Sequence, residues 1–103
     1  MLNEIVKDIK ELVELDTKLE ETELGQTVKP MLSNDYKERF RAEYYQAVTR
    51  RDRLKDIVNK YWSKELDFEL KSSIGLLVAQ MEVMSAYISI LIERAKQEGI
   101  ELY

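Results

Sequence analysis

Only four residues of this 103-residue chain, Gly25, Pro30, Gly75 and Gly99, belong to the two types that most readily turn a backbone. An all-β sandwich or barrel needs a turn signal about every 8–12 residues, so a chain this poor in them has to fold as helices. Its length suits one domain with one core rather than two. Hydrophobic residues make up 45% of the sequence and charged residues 35%. The charged share exceeds the roughly 25% of an average globular domain, and the combination describes long helices with one apolar and one solvated side. Cys and His are both absent, which excludes Cys/His zinc sites, iron–sulfur clusters, disulfides, thiol nucleophiles and His-based triads.

Three helices follow from periodicity and caps. Leu2, Ile5, Ile9, Leu12 and Leu19 recur in steps of three and four, with Asp16 breaking the stripe, which predicts an amphipathic helix over 2–24 capped by Gly25. A linker over 25–34 holds Pro30, which removes a backbone donor and ends regularity. Ser33–Asn34–Asp35 is a start signal, with Asp35 and Glu38 spaced as a capping box, and predicts a helix from Tyr36 to about Trp62. Phe40, Tyr44, Ala47, Val48, Leu54, Val58 and Trp62 share one face of it, with Arg51 in the middle. After a break at Ser63–Ser73, a last helix runs from about Ser73 to Glu98, with Gly99 where a C-terminal cap belongs and Ile100, Leu102 and Tyr103 as an apolar tail able to fold back. The expected fold is all-α: one domain over 1–103, with an N-terminal helix tethered to a long antiparallel hairpin over 35–99.

The last helix is apolar on both sides. One face holds Ile74, Leu77, Val78, Met81, Met84, Ile88, Leu91, Ile92 and Ala95; the other holds Leu76, Ala79, Val83, Ala86, Tyr87 and Ile90 and ends in Arg94. Such a helix is normally sandwiched between two partners. The second cover is either the N-terminal helix or another subunit, and the narrow stripe of the N-terminal helix favours a helical-bundle homo-oligomer whose interface holds Leu76, Val83, Tyr87, Ile90 and Arg94. Ile74–Ile92 is also nearly long enough to span a bilayer, but Gln80, Glu82, Ser85 and Ser89 fall in its centre, where polar groups are costly. No membrane is expected as a partner. The N-terminus shows no basic segment followed by an apolar run and a cleavage site, so the expected location is the cytoplasm.

The net charge of −4 is unevenly spread. Residues 1–24 carry eight acids against three lysines, whereas 35–60 carry eight bases against five acids. No domain-wide basic excess exists to release counterions from a duplex, so duplex nucleic acid is not an expected partner. The basic segment either packs on the acidic helix or meets an anionic ligand. Arg50, Arg51 and Arg53 follow Tyr44 and Tyr45 by about two turns, and guanidinium with phenol can clamp a phosphate and stack on a base. These five are the candidate ligand residues. Arg51, within the apolar stripe, needs either a ligand or a structural partner, for which Glu82, the one charged residue between Ile74 and Ile92, is the candidate. Gln80, Tyr87 and Arg94 form a second polar-aromatic group. No Glu-x-x-His pair, calcium loop or glycine-rich phosphate loop is present. The sequence therefore predicts neither an enzyme nor a metal or cofactor site.

One resemblance rests on particular residues. The stretch NDYKERFR at Asn34–Arg41, the following AEYYQ, and the block from Leu66 to Leu102 resemble a family of small phage and prophage proteins, a domain named after a crAss-like phage protein. The matching positions are Lys37, Glu38, Arg39, Glu43, Tyr44, Arg94, Ala95, Glu98, Gly99 and Ile100, within a similarity covering about 34–102. Lys71–Ser73 departs from the Cys-Pro expected there. The resemblance carries over no functional residues. It implies a helical hairpin from a mobile element of bacteria, hence a host-cell cytoplasm, and a protein that works by binding. Three readings follow from it: sequestration of a nucleotide immune signal between subunits, direct inhibition of a host-defence protein in the manner of anti-CRISPR proteins, or a structural accessory role in the phage particle.

Overall fold

The computed structural model describes residues 22–102. The helix expected over 2–24 lies outside them except for Thr22–Leu24, which form a bend and a turn and not a last helical turn. Among the described residues all regular structure is helical. A 3-10 turn, Gly25–Thr27, leads into α1 (Val28–Met31), followed by α2 (Tyr36–Trp62) and α3 (Ile74–Glu98). The chain forms two compact units, Met1–Ala42 and Glu43–Tyr103.

In the first unit the expected linker is a built turn. Gly25 is buried and opens the 3-10 turn, so it is not the helix cap expected of it; among the described residues only Gly99 is a glycine with positive φ. Side-chain hydroxyls organise the turn instead. The Gly25 N–H donates to Thr22 Oγ1 at 2.8 Å, and Thr27 Oγ1 donates to the Leu24 carbonyl at 2.6 Å. Pro30 does not end the regular structure but sits in the first turn of α1, where an N–H would find no intrahelical acceptor. At the start of α2, Asp35 Oδ1 accepts the Lys37 N–H at 2.9 Å as an N-cap should. The reciprocal half of the capping box comes from a different residue than the sequence suggests: the Asp35 N–H donates to Ser33 Oγ at 3.0 Å rather than to Glu38. Phe40 and Ala42 are buried, and Tyr36 meets Phe40 edge-on at 6.2 Å.

In the second unit α2 ends at Trp62 with Lys64 in the left-handed region, at φ 63. The Lys64 N–H donates to the Tyr61 carbonyl at 3.2 Å and the Glu65 N–H to the Lys60 carbonyl at 2.9 Å, which satisfies two of the last carbonyls of the helix. Ser73 caps α3, its Oγ accepting the Leu76 N–H at 3.2 Å. Gly99, at φ 69, closes α3, and the Ile100 N–H reaches back to the Ala95 carbonyl at 2.8 Å. That closure turns the tail inward, so Ile100 and Leu102 are buried, and the Tyr45 hydroxyl donates to the Leu102 carbonyl. The tail's bond to Tyr45 places the C-terminal end of α3, which is about 37 Å long, beside the N-terminal half of α2, the order of an antiparallel hairpin.

The buried set of this unit is Tyr44, Ala47 and Val58 from α2, Ile88, Leu91 and Ala95 from α3, and Ile100 and Leu102 from the tail. Every member of the first apolar face of α3 is buried or half-buried, but full burial begins only at Ile88. The core tapers toward the connection between the helices. Trp62, expected on the core face of α2, is 65% exposed for that reason, and packs edge-on against Tyr61 at 5.2 Å. Leu91 is fully buried, and Leu91→Ala is expected to destabilise the fold by ~2–5 kcal/mol, read from the urea midpoint. Lys64→Gly relieves a left-handed lysine at some loss of chain entropy, and is expected to raise stability by ~0.5–1 kcal/mol and the melting temperature with it.

Candidate functional site

The outer surface of α2 carries the basic excess of the 35–60 segment. Arg50, Arg53 and Lys55 are exposed, while Arg51 is half-buried. At 3.6 residues per turn Arg51 lies about 20° from Tyr44, while Arg53 lies about 180° from it and Arg50 about 120°. The helix therefore does not bring the five candidate residues into one patch. Tyr44 is buried and meets Tyr45 edge-on at 5.6 Å. Tyr45 is exposed along its ring but commits its hydroxyl to the tail carbonyl of Leu102. Arg51 does not reach for Glu82. Its Nε donates to Oδ1 of the adjacent Asp52 at 2.9 Å, a pairing within one helix that needs no second element. The structure leaves Arg50 and Arg53 as the solvent-facing part of this group.

Further along α2, Lys60 pairs with Asp56 one turn before it at 3.1 Å. The hydrogen bond that Lys60 donates to that carboxylate, and then the carboxylate's charge, hold the Lys60 ammonium above the ordinary lysine range. Both side chains are largely in water, so the pair adds little to stability. Beyond it, Tyr61, Trp62 and Phe68 are all exposed around the connection. Their exposure is a feature that helical periodicity misses, since Trp62 continues the apolar stripe in register after the core beneath it has ended.

The second group is on α3. Leu76 is 62% exposed, Val83 69%, Tyr87 40% and Ile90 58%. Ala79 and Ala86 beside them are exposed as well. The second apolar face of α3 thus meets solvent over its whole length. Gln80, Tyr87 and Arg94 follow one another at seven-residue steps along its flank, drifting only about 20° per step. Arg94 Nε donates to Glu98 Oε2 at 3.2 Å in an exposed pair four residues apart. Such a pair is worth ~1 kcal/mol or less. By length and composition α3 could also cross a membrane: its most apolar 18 residues have a mean hydropathy of 1.7, with 11% of them buried. Among the described residues no group of three or more acidic side chains could hold a metal ion.

No curated protein and no solved structure matches the chain. A family model does, that of Sequestin, over residues 34–97. The match begins at the start signal of α2 and runs through the connection to the last turn of α3, so it takes in the basic face of α2, the exposed aromatic group and both faces of α3. It overlaps nearly all of the 34–102 stretch whose motifs resemble small helical phage proteins. The family's name is compatible with a protein that binds and sequesters a ligand, and suggests binding rather than catalysis. With well over half of its residues covered by that model, the chain belongs to the Sequestin family.

Proposed function

We propose that this chain is a phage- or prophage-derived protein that sequesters a nucleotide immune signal in the cytoplasm of a bacterial host, as a homo-oligomer assembled through the outer face of α3. Its membership of the Sequestin family is the observation that carries the reading. The surface chemistry supports it. Covering Leu76, Val83 and Ile90 with a second subunit would bring Tyr87 and Arg94 to the rim of the contact, an aromatic ring for a base beside a guanidinium for a phosphate. Arg50 and Arg53 offer further donors on the exposed side of α2. The acidic segment 1–24 would repel the same ligand, which keeps the site on the hairpin.

A second reading, direct inhibition of a host-defence protein, draws on one observation, the exposed Tyr61, Trp62 and Phe68. Exposed aromatic clusters of this kind are typical anchors of protein interfaces. Native mass spectrometry of protein purified from bacteria reads subunit count and retained small molecule together. Calorimetry against cyclic dinucleotides and cyclic ADP-ribose isomers tests the ligand class. Arg94→Ala, Arg50→Ala and Arg53→Ala are each expected to weaken binding by ~1–3 kcal/mol, the scale of a charge-assisted hydrogen bond, and added salt is expected to weaken it further. Arg51→Met is expected to leave fold and binding in place, because Arg51 pairs with its exposed helical neighbour Asp52. No heat with any of these nucleotides from protein that still protects phage in cells would reject the nucleotide reading in favour of the protein-directed one.

A further inference from the structure

The exposed column of α3 has a symmetry of its own. Leu76, Val83 and Ile90 stand at seven-residue intervals, with Val83 at the midpoint. Relative to Val83, Ala79 and Ala86 fall on one flank and Gln80 and Tyr87 on the other. A two-fold axis through Val83, with helices antiparallel, would therefore set Val83 against Val83 of a second copy and Leu76 against Ile90. The same operation would bring Ala79 close to Ala86, small against small, and Gln80 within reach of the Tyr87 hydroxyl. We infer that the occupant of this face is a second copy of the same chain, packed antiparallel about Val83. The inference rests on the homo-oligomer reading above and adds its symmetry and register.

Charge decides the direction. Arg94 lies within about 20° of the centre of the column, so a parallel pair would face Arg94 with its own copy at the edge of an apolar contact. In the antiparallel pair the two arginines are separated by about 33 Å. Each then lies level with Ser72 of the other copy, at the end of a connection that carries Glu65, Asp67 and Glu69 against Lys64 and Lys71. Aligned helix dipoles oppose a parallel pair and favour the antiparallel one. The four large exposed side chains present on the order of 400 Å² of apolar surface, the size of a patch that is often functional and about half of the ~800 Å² per partner of a standard interface, so the flanking side chains have to supply the rest. Between Leu76 and Ile90 the column and its two flanks carry no charged residue.

The chain contains no cysteine, so single introduced cysteines report the register directly. Leu76, Val83 and Ile90 are all exposed, and circular dichroism checks that each variant keeps its helices. On mild oxidation Val83→Cys is expected to form a disulfide-linked dimer by itself. Leu76→Cys and Ile90→Cys are each expected to stay monomeric on a denaturing gel when oxidised alone, and to cross-link when mixed and refolded together. Cross-linking of all three single variants without a mixed Leu76–Ile90 product would overturn the antiparallel arrangement in favour of a parallel one. A wild-type dimer by sedimentation with none of these cross-links would overturn the register while leaving the oligomer reading intact. Monomer mass by sedimentation at high micromolar concentration would remove both.

Discussion

The structure depends on the burial of one stripe of α3 at its C-terminal end. Leu91 and Ala95 are closed over by a tail that only a left-handed residue after Glu98 could turn, and Gly99 supplies it. The tail returns Ile100 and Leu102 to the core, and the Leu102 carbonyl, which would otherwise be carried in without an acceptor's partner, takes the Tyr45 hydroxyl. Hydrophobic closure, helix capping and the satisfaction of a buried carbonyl are thus one device. Away from it, toward the connection, burial thins out along α3, and past Val58 on α2 the aromatic side chains of Tyr61, Trp62 and Phe68 stand in solvent.

Most helix limits were legible because they are set by local chemistry. Asp35 at the start of α2, Ser73 at the start of α3 and Gly99 at its end are short-range hydrogen-bonding and backbone choices, and each stands where the sequence indicates. The split of α3 into two faces was legible for the same reason, since a fixed 3.6-residue repeat assigns every residue to a side. Pro30 and Gly25 were misread because each residue has two uses. A proline ends a helix or opens one, and a glycine closes a helix or simply fits a crowded turn; here the Thr22 and Thr27 hydroxyls settle the turn through bonds three residues long that apolar periodicity does not register.

The candidate site was less legible, and the errors have a common cause. Grouping Tyr44, Tyr45, Arg50, Arg51 and Arg53 by nearness in sequence ignores that Arg50 and Arg53, six and nine residues past Tyr44, point about 120° and 180° away from it around the helix. Pairing Arg51 with Glu82 assumed that a guanidinium near a core needs a partner from another element. A long side chain can instead bend to the neighbouring carboxylate of Asp52 while its stem stays half-covered. Periodicity states which face a residue is on, but it cannot state where a core stops, which is why Trp62 continued the stripe on paper and lies in water in the structure.

Sequestration asks of a small protein a different economy from catalysis. Nothing has to be activated; a ligand has to be held by enough donors and stacked surface, in a site made from little chain. A single hairpin with a tapering core has few enclosed places to build such a site, but a helix apolar on both sides can make one by assembly. The face that buries Leu91 folds the chain, and the face that exposes Val83 would remain for a neighbour. Tyr87 and Arg94, at the edge of that second face, would be pre-ordered by the helix before any ligand arrives, and burial of the apolar column would lower the local dielectric around them. Under that arrangement assembly and binding share one surface. A bound anion at Arg94 would displace the Glu98 carboxylate and tie the rim of the contact together, so ligand and oligomer would each stabilise the other by the same free energy.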